Sequence, residues 1–232
     1  NGSLARLDFG TDLSNPAPTV TDLGFNAELS NPADMVFGAT DSSRFAYVSN
    51  ATDSSLVRFD FNQGLSGNPT AGLLASLPMN PAGLELKEIA GAYHLFVADS
   101  VAGSIIRLDF GNAHTNANPT TTSFSDSTLT APYDMFITTG CSTYWGFAVN
   151  RDDSSLVRIN IGEDITNEPA NYEDLGDLGA LSEPLGIWGL VQENNGSRHF
   201  YIANAGDNSI ARISYTSCEN SFLASNDNQL TT

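Results

Sequence analysis

Apolar and polar residues alternate in short segments along this chain. In the segment from Leu56 to Phe61, Leu56, Arg58 and Asp60 take one set of alternate positions, and Val57, Phe59 and Phe61 take the other. A period of two residues predicts a β-strand and not a helix. Other runs are rich in aromatic and β-branched residues and end in Asn or Asp, which indicates further strands: Phe45–Asn50, Leu95–Asp99, Phe147–Asn150 and Tyr201–Asn204. No segment shows a convincing amphipathic helical pattern, so we expect an all-β fold.

The alternating segment is repeated. Five arginines occur about fifty residues apart, each within a segment of the form Ser-[Leu/Ile]-x-Arg-[Leu/Phe/Ile]: Arg6, Arg58, Arg107, Arg158 and Arg212. A period of this length is typical of solenoids and propellers. The array therefore presents similar surfaces several times.

Other landmarks fall into register with the arginines. Pro-x-[Asp/Gly] followed by an apolar residue opens a strand at Pro32, Pro81, Pro132 and Pro184. An Asn-Pro pair, replaced by Glu168-Pro169 in one repeat, follows the arginine strand and precedes a weaker outermost strand. Each repeat thus predicts four short antiparallel strands, and such sheets repeated radially form a β-propeller. A β-sandwich and a linear β-solenoid are the alternatives, although a sandwich does not explain the self-similarity.

The repeats predict the domain organisation. We expect propeller repeats over residues 1–215, with a partial blade at 1–31 and blades beginning near 32, 81, 132 and 184. Residues 216–232 are polar and predict a tail or a linker to a following domain. Five arginine strands against four blade openings leave two arrangements open: a small ring of four or five blades, or an arc of a ring of six to eight. The start within a repeat favours the arc.

The net charge of the chain disfavours some classes of binding partner. The chain has 27 acidic and 9 basic side chains, a net charge of −18. Attraction to nucleic-acid phosphate or to an anionic membrane is therefore disfavoured. The apolar stretches have the length of strands, far below the roughly 20 residues of a membrane-spanning helix. We expect no nucleic-acid partner and no membrane insertion.

Three motifs resemble one propeller family. They are Ser3–Gly10 (Ser-Leu-Ala-Arg-Leu-Asp-Phe-Gly), its echo Ser104–Gly111, and Trp145–Asn150. The chain up to about residue 215 resembles the NHL-like propeller regions of secreted and cell-surface proteins of Bacteroidota, many of them labelled gliding-motility-associated or carrying type IX secretion signals. The resemblance implies a secreted or outer cell-surface location, a protein or glycan partner, and further domains in the same parent polypeptide. It does not establish a role in motility.

The repeated arginine predicts a structural contact between blades. A guanidinium on a strand can bridge blades through a bidentate bond to a carboxylate. The candidate carboxylates are Asp34 and Asp134 or the in-strand acids Asp8, Asp60 and Asp109. The alternative is that the arginines grip an anionic ligand, which the strongly acidic chain disfavours.

Acidic turns make calcium the one candidate cofactor. Hard cations bind clustered oxygen ligands, and the turns before the arginine strands supply Asp53, Asp152, Asp153 and Asp207. Ordinary turn chemistry explains the same residues, because Asp, Asn, Ser and Gly favour such turns for backbone reasons. Two cysteines, Cys141 and Cys218, are candidates for a disulfide, and the sequence leaves open whether they pair.

Catalytic motifs are few. The three histidines do not fall at metal-ligand spacing on one element, and the nucleophile and phosphate-binding motifs are missing from the sequence. Tyr133, Trp145 and Trp188 are candidates for stacking against a glycan or a peptide. We therefore expect a non-catalytic binding or adhesion scaffold and not an enzyme. The alternatives are a propeller enzyme of the lyase or lactonase type acting at the central channel, and a structural component of an extracellular filament or a secretion-associated assembly.

Overall fold

Every regular element that the structure describes is a β-strand. The structure is a computed structural model that describes residues 2–25, 27–62, 64–76, 80–140, 142–192, 198–215 and 222–226. These residues contain no helix long and apolar enough to cross a membrane. The chain divides into two units, Asn1–Pro78 and Met79–Thr232, which are treated separately below.

The first unit holds two antiparallel sheets. A half-blade pairs β1 (Leu4–Asp8) with β2 (Thr19–Gly24). Blade A follows, and its strands lie in chain order: β3 (Pro32–Ala39), β4 (Arg44–Asn50), β5 (Ser55–Asp60) and β6 (Thr70–Ser76). The core of this unit is a cluster that includes Leu4, Leu29 and Phe59.

The second unit holds three four-stranded antiparallel sheets, again with the strands in chain order. Blade B consists of β7 (Pro81–Ile89), β8 (Ala92–Asp99), β9 (Ser104–Gly111) and β10 (Thr120–Ser125). Blade C consists of β11 (Pro132–Gly140), β12 (Thr143–Asn150), β13 (Ser155–Gly162) and β14 (Asn171–Asp174). Blade D consists of β15 (Pro184–Gln192), β16 (Arg198–Asn204), β17 (Ser209–Tyr215) and β18 (Phe222–Asn226).

The last strand corrects the predicted domain end. Residues 222–226 pair with β17 as the fourth strand of blade D, so this part of the predicted polar tail belongs to the blade. The strand is short and lies among polar residues, and its alternation is therefore too weak to read from the sequence. The first strands of blades A to D begin at the four prolines that mark the predicted blade openings.

The four blades share their local geometry. The first strand of each blade has a register shift just after its opening proline, so one or two residues there have no direct partner on the second strand. Such a bulge bends the strand and redirects the next side chain. The turn before each arginine strand contains one residue with positive φ, and these residues are Ser54, Gly103, Ser154 and Asn208.

Apolar faces of neighbouring blades form the core of the second unit. Phe96 and Ile105 of blade B are buried in one cluster with Ile159 and Ile165 of blade C. Tyr172 packs against this cluster, and its burial, reinforced by the charges of Asp126 and Glu168, raises the pKa of its phenol to about 12. Blades C and D share a second cluster, which includes Phe147, Phe200 and Ile213. Apolar clusters therefore join blade B to blade C and blade C to blade D.

Candidate functional site

Two carboxylates lie on the first strands of blades B and C. Asp134 follows the bulge of β11, and both of its oxygens accept hydrogen bonds from backbone amides. Oδ1 accepts from Met135 N at 2.8 Å, and Oδ2 accepts from Ile187 N on β15 at 2.8 Å. The side chain is half-buried. Asp134 therefore joins the first strand of blade C to that of blade D.

Glu85 makes the corresponding contact one blade earlier. Its Oε1 accepts a hydrogen bond from Ile137 N on β11 at 3.3 Å. The same oxygen lies 2.6 Å from Lys87 Nζ, and the ammonium of Lys87 lies 5.3 Å from the centre of the Phe136 ring. The glutamate and the lysine are both partly exposed, so the pair is within reach of solvent.

Both carboxylates accept hydrogen bonds from amides of one strand, β11. Met135 and Ile137, whose amides hold Asp134 and Glu85, are two residues apart on β11. A strand rises about 3.3 Å per residue, so these two amides are roughly 7 Å apart, and each carboxylate lies within hydrogen-bond distance of one of them. Two carboxyl groups at such a distance can act as an acid and a base on opposite sides of one bond.

The lack of a side chain at Gly83 leaves room for the carboxylate of Asp134. A Cβ atom at Gly83 would lie 2.1 Å from Asp134 Oδ1 and 2.6 Å from Asp134 Cα. The carboxylate therefore occupies the space that a side chain on β7 would fill. The aspartate and the glycine take the same position in the Pro-x-[Asp/Gly] motif of their blades, so the smaller residue of one blade accommodates the larger residue of the next.

The repeated arginines reach the next blade through backbone carbonyls. Arg107 Nη1 donates to the carbonyls of Ile165 and Asn167 in blade C at 3.0 and 3.1 Å. Arg6 makes the equivalent bonds in the first unit, to the carbonyls of Leu65 and Ser66 at 2.9 and 2.7 Å. Both loops follow the third strand of a blade, so the two arginines attach one sheet to the next.

This geometry corrects the predicted bridge. Arg107 Nε donates a bifurcated hydrogen bond to the two carboxylate oxygens of Asp109 in its own strand, at 2.9 and 3.0 Å, and Arg58 Nε likewise bonds Asp60 at 3.0 Å. Arg158 pairs with Glu173 on the neighbouring strand. The carboxylates thus orient the guanidinium, and the carbonyls connect the blades. Arg212 is half-buried and opposite Tyr201, and the bonds seen for Asp34 and Asp134 are to backbone amides.

The turn acids make local hydrogen bonds. Asp53 accepts from Ser55 Oγ, and Asp207 accepts from the amide and the hydroxyl of Ser209. Asp153 bonds Ser155 N and Thr130 Oγ1, while its neighbour Asp152 is exposed. Within the described ranges, no three His, Cys, Asp or Glu side chains are grouped to hold a metal ion. Calcium binding stays a prediction.

The predicted aromatic residues have different surroundings. Tyr133 lies 5.8 Å from the guanidinium of Arg151. Trp145 packs against the core between blades C and D, with the guanidinium of Arg158 over its ring at 5.2 Å. Trp188 is exposed on blade D. Cys141 and Cys218 lie outside the described residues, so their pairing also stays a prediction.

Glu85 is a functional candidate that sequence reasoning missed. At its position on the first strand, blades A, C and D carry Val36, Phe136 and Trp188. A charged residue at a position that is apolar in every other blade is the signal that would have found it.

Comparison with solved structures finds proteins with a similar fold. An α-L-arabinofuranosidase from Podospora anserina, solved with cellotriose, matches with a TM-score of 0.61 at 12% identity, over 86% of this chain and 68% of that chain. A GH43_1 enzyme from Xanthomonas citri matches with a TM-score of 0.55 at 10% identity, over 84% of this chain and 73% of that chain. The dihydro-haem d1 dehydrogenase NirN matches with a TM-score of 0.57 at 13% identity, over 97% of this chain and 43% of that chain. No family model and no curated protein match the sequence.

These matches confirm the predicted all-β propeller fold. They contradict the expectation that the chain is not an enzyme, because glycoside hydrolases are built on this fold. The expectation rested on the spacing of the histidines and on missing nucleophile and phosphate-binding motifs. Glycoside hydrolysis needs only a pair of carboxyl groups, and 27 acidic residues offer such pairs without any motif.

Proposed function

We propose that this chain is a β-propeller enzyme that hydrolyses a glycosidic bond, with Asp134 and Glu85 as its pair of carboxyl groups. The observation that carries the proposal is their geometry: they come from adjoining blades and are held by amides two residues apart on β11. The fold shared with glycoside hydrolases supports it. A propeller lyase or lactonase is a weaker alternative, since the similar solved structures favour action on glycosides.

The two residues have different roles in this proposal. Asp134 accepts two backbone N–H bonds, and such bonds favour the ionised carboxylate. It therefore acts as the base that activates water. Glu85, whose Oε1 lies 2.6 Å from Lys87 Nζ, is the group that we assign as the proton donor to the leaving oxygen. The amides that hold the two groups are roughly 7 Å apart, and a carboxyl separation of about 6.5 to 9.5 Å is the one used by enzymes that invert the anomeric carbon. We therefore assign inversion.

Pentosides are the substrate class to examine first. The similar structures include an arabinofuranosidase and an enzyme solved with xylose. The predicted secreted or outer cell-surface location would bring the chain to extracellular glycans, and it stays a prediction.

Hydrolysis of aryl α-L-arabinofuranosides and aryl β-D-xylosides tests the proposal. We expect the wild type to release the phenol from at least one of them, and Glu85→Gln and Asp134→Asn each to lower the rate by about 100-fold or more, the usual range for removing an acid or a base. Glu88→Gln on the same strand and Asp152→Asn in an exposed turn are the matched controls, and both should keep the wild-type rate.

Thermal unfolding of each variant separates loss of chemistry from loss of structure. Glu85→Gln keeps the shape of the side chain and an oxygen for Ile137 N, so it should remain folded. If the folded wild type releases no phenol from either substrate, or if Glu85→Gln and Asp134→Asn retain the wild-type rate, the proposal is wrong.

A further inference from the structure

Blade D leaves an apolar face open to solvent. Trp188, Tyr201 and Ile210 are 77%, 38% and 42% exposed. Trp188 pairs with Tyr201, Tyr201 pairs with Arg212, and Ile210 is two residues before Arg212 on β17, so all of them lie on one side of the sheet. We call Trp188, Tyr201 and Ile210 the trailing face.

The same face is covered in blades B and C. Phe96 and Ile105 take the positions of Tyr201 and Ile210 in blade B, and both are buried against blade C. Phe147 and Leu156 take these positions in blade C, and both are buried against blade D. The repeat therefore uses this face to bind the following blade.

In the half-blade, the apolar face on the other side of the sheet from Arg6 is exposed to solvent. Leu7, Leu13 and Val20 are 53%, 87% and 65% exposed. Leu7 and Val20 are directly opposite each other on β1 and β2, and Leu13 lies in the loop that follows β1. We call these three residues the leading face.

The leading face also has a covered equivalent. Ile159, Ile165 and Tyr172 of blade C match Leu7, Leu13 and Val20 in their offset from the repeated arginine and in strand pairing. Ile159 and Ile165 are buried against Phe96 and Ile105 of blade B, with Tyr172 packed beside them. The interface between blades B and C thus shows a trailing face bound to a leading face.

We propose that the trailing face of one copy of this chain binds the leading face of a second copy. Tyr201, Ile210 and the three residues of the leading face then make the apolar contacts that their equivalents make between blades B and C. Trp188 takes the place of Phe136, which packs against the cluster between blades C and D.

Arg212 is the equivalent of Arg107, and Leu13 is the equivalent of Ile165, whose carbonyl accepts from Arg107. The second copy is favoured as the occupant because this chain itself carries both halves of the interface. The association is heterologous, so a copy that uses one face in a contact still has the other face for a further copy.

Size-exclusion chromatography with light scattering tests this association. We expect the wild type to exceed the monomer mass of 24.6 kDa increasingly with concentration. Ile210→Glu places a charge where blades B and C have the buried Ile105 and Leu156, and so removes the trailing face. Leu13→Glu removes the leading face, so each variant alone should be a monomer. An equimolar mixture should form a dimer and stop there, because each partner retains one intact face. Val101→Glu, at a residue 75% exposed in a turn of blade B, makes the same charge change and should associate like the wild type.

Salt adds a second measurement on the same samples. Each copy carries a net charge of −18, so screening their repulsion should strengthen an apolar association. Circular dichroism should show that all variants are folded, since the substituted side chains are exposed. A wild type that is monomeric at every concentration and salt level, oligomers that persist in both single variants, or a mixture that does not dimerise would each overturn the proposal.

Discussion

Replacing Arg107 with methionine is expected to lower the free energy of unfolding by about 3 to 5 kcal/mol, as removal of one partner of a buried ion pair does. The guanidinium is buried and makes two bonds to Asp109 and two to carbonyls of blade C. Methionine fills much of the space without any donor. The carbonyls of Ile165 and Asn167 then lose these bonds at the interface, and Asp109 keeps only its contact with His94 among those described here.

Two further variants isolate the cause of this loss. Arg107→Lys keeps the charge but not the planar fork, so we expect an intermediate loss. Arg151→Met makes the original substitution at an exposed arginine in the same unit and should change stability little. Chemical denaturation followed by circular dichroism measures all three. Equal stability of Arg107→Met and Arg151→Met would show that the carbonyl bonds between blades do not stabilise the fold.

Replacing Gly83 with alanine is expected to cost on the order of 3 kcal/mol, at the upper end for overpacking. The added methyl would lie 2.6 Å from the Cα of Asp134 as well as 2.1 Å from its carboxylate oxygen. A side chain could rotate away, but a backbone atom cannot, so β7 and β11 must separate. The substitution should also displace Asp134 and lower any hydrolytic rate.

Gly72→Ala provides the matched control. Gly72 lies in β6 with no atom within 4 Å of an added Cβ and without a positive φ. Its replacement should be neutral or slightly stabilising, because alanine reduces the freedom of the unfolded chain. If Gly83→Ala unfolds at the same denaturant concentration as Gly72→Ala, the close approach of β7 to Asp134 is wrong.

The repeating parts of the fold could be predicted from the sequence. Strand alternation, the opening prolines and the arginine period each recur, so several copies compensate for a weak signal in any one of them. Arg107 was expected to connect blades because a guanidinium amid acids on a strand suggests a bridge. The sequence did not predict that its acceptors are backbone carbonyls, because every residue type carries the same carbonyl group.

The candidate site could not be predicted for a related reason. Asp134 follows a motif, but its bond to Ile187 depends on the distance between two blades. Glu85 belongs to no motif, and its nearness to Asp134 arises only when β7 and β11 lie side by side. The exposure of Trp188 and Leu13 is likewise invisible in the sequence, since blade C carries an apolar residue at each equivalent position, Phe136 and Ile165, and both of these pack between blades.

One measurement addresses the proposed carbohydrate site directly. The amides of Ile137 and Ile187 donate to Glu85 and Asp134, so their resonances in a ¹H–¹⁵N correlation spectrum report on both carboxylates. Titration with L-arabinose or D-xylose should shift these two amides along a saturating curve, while the amide of Val101 stays in place. If neither sugar moves the Ile137 and Ile187 resonances at concentrations in the tens of millimolar, or if the shifts occur elsewhere, the assignment of this site to a glycoside is contradicted.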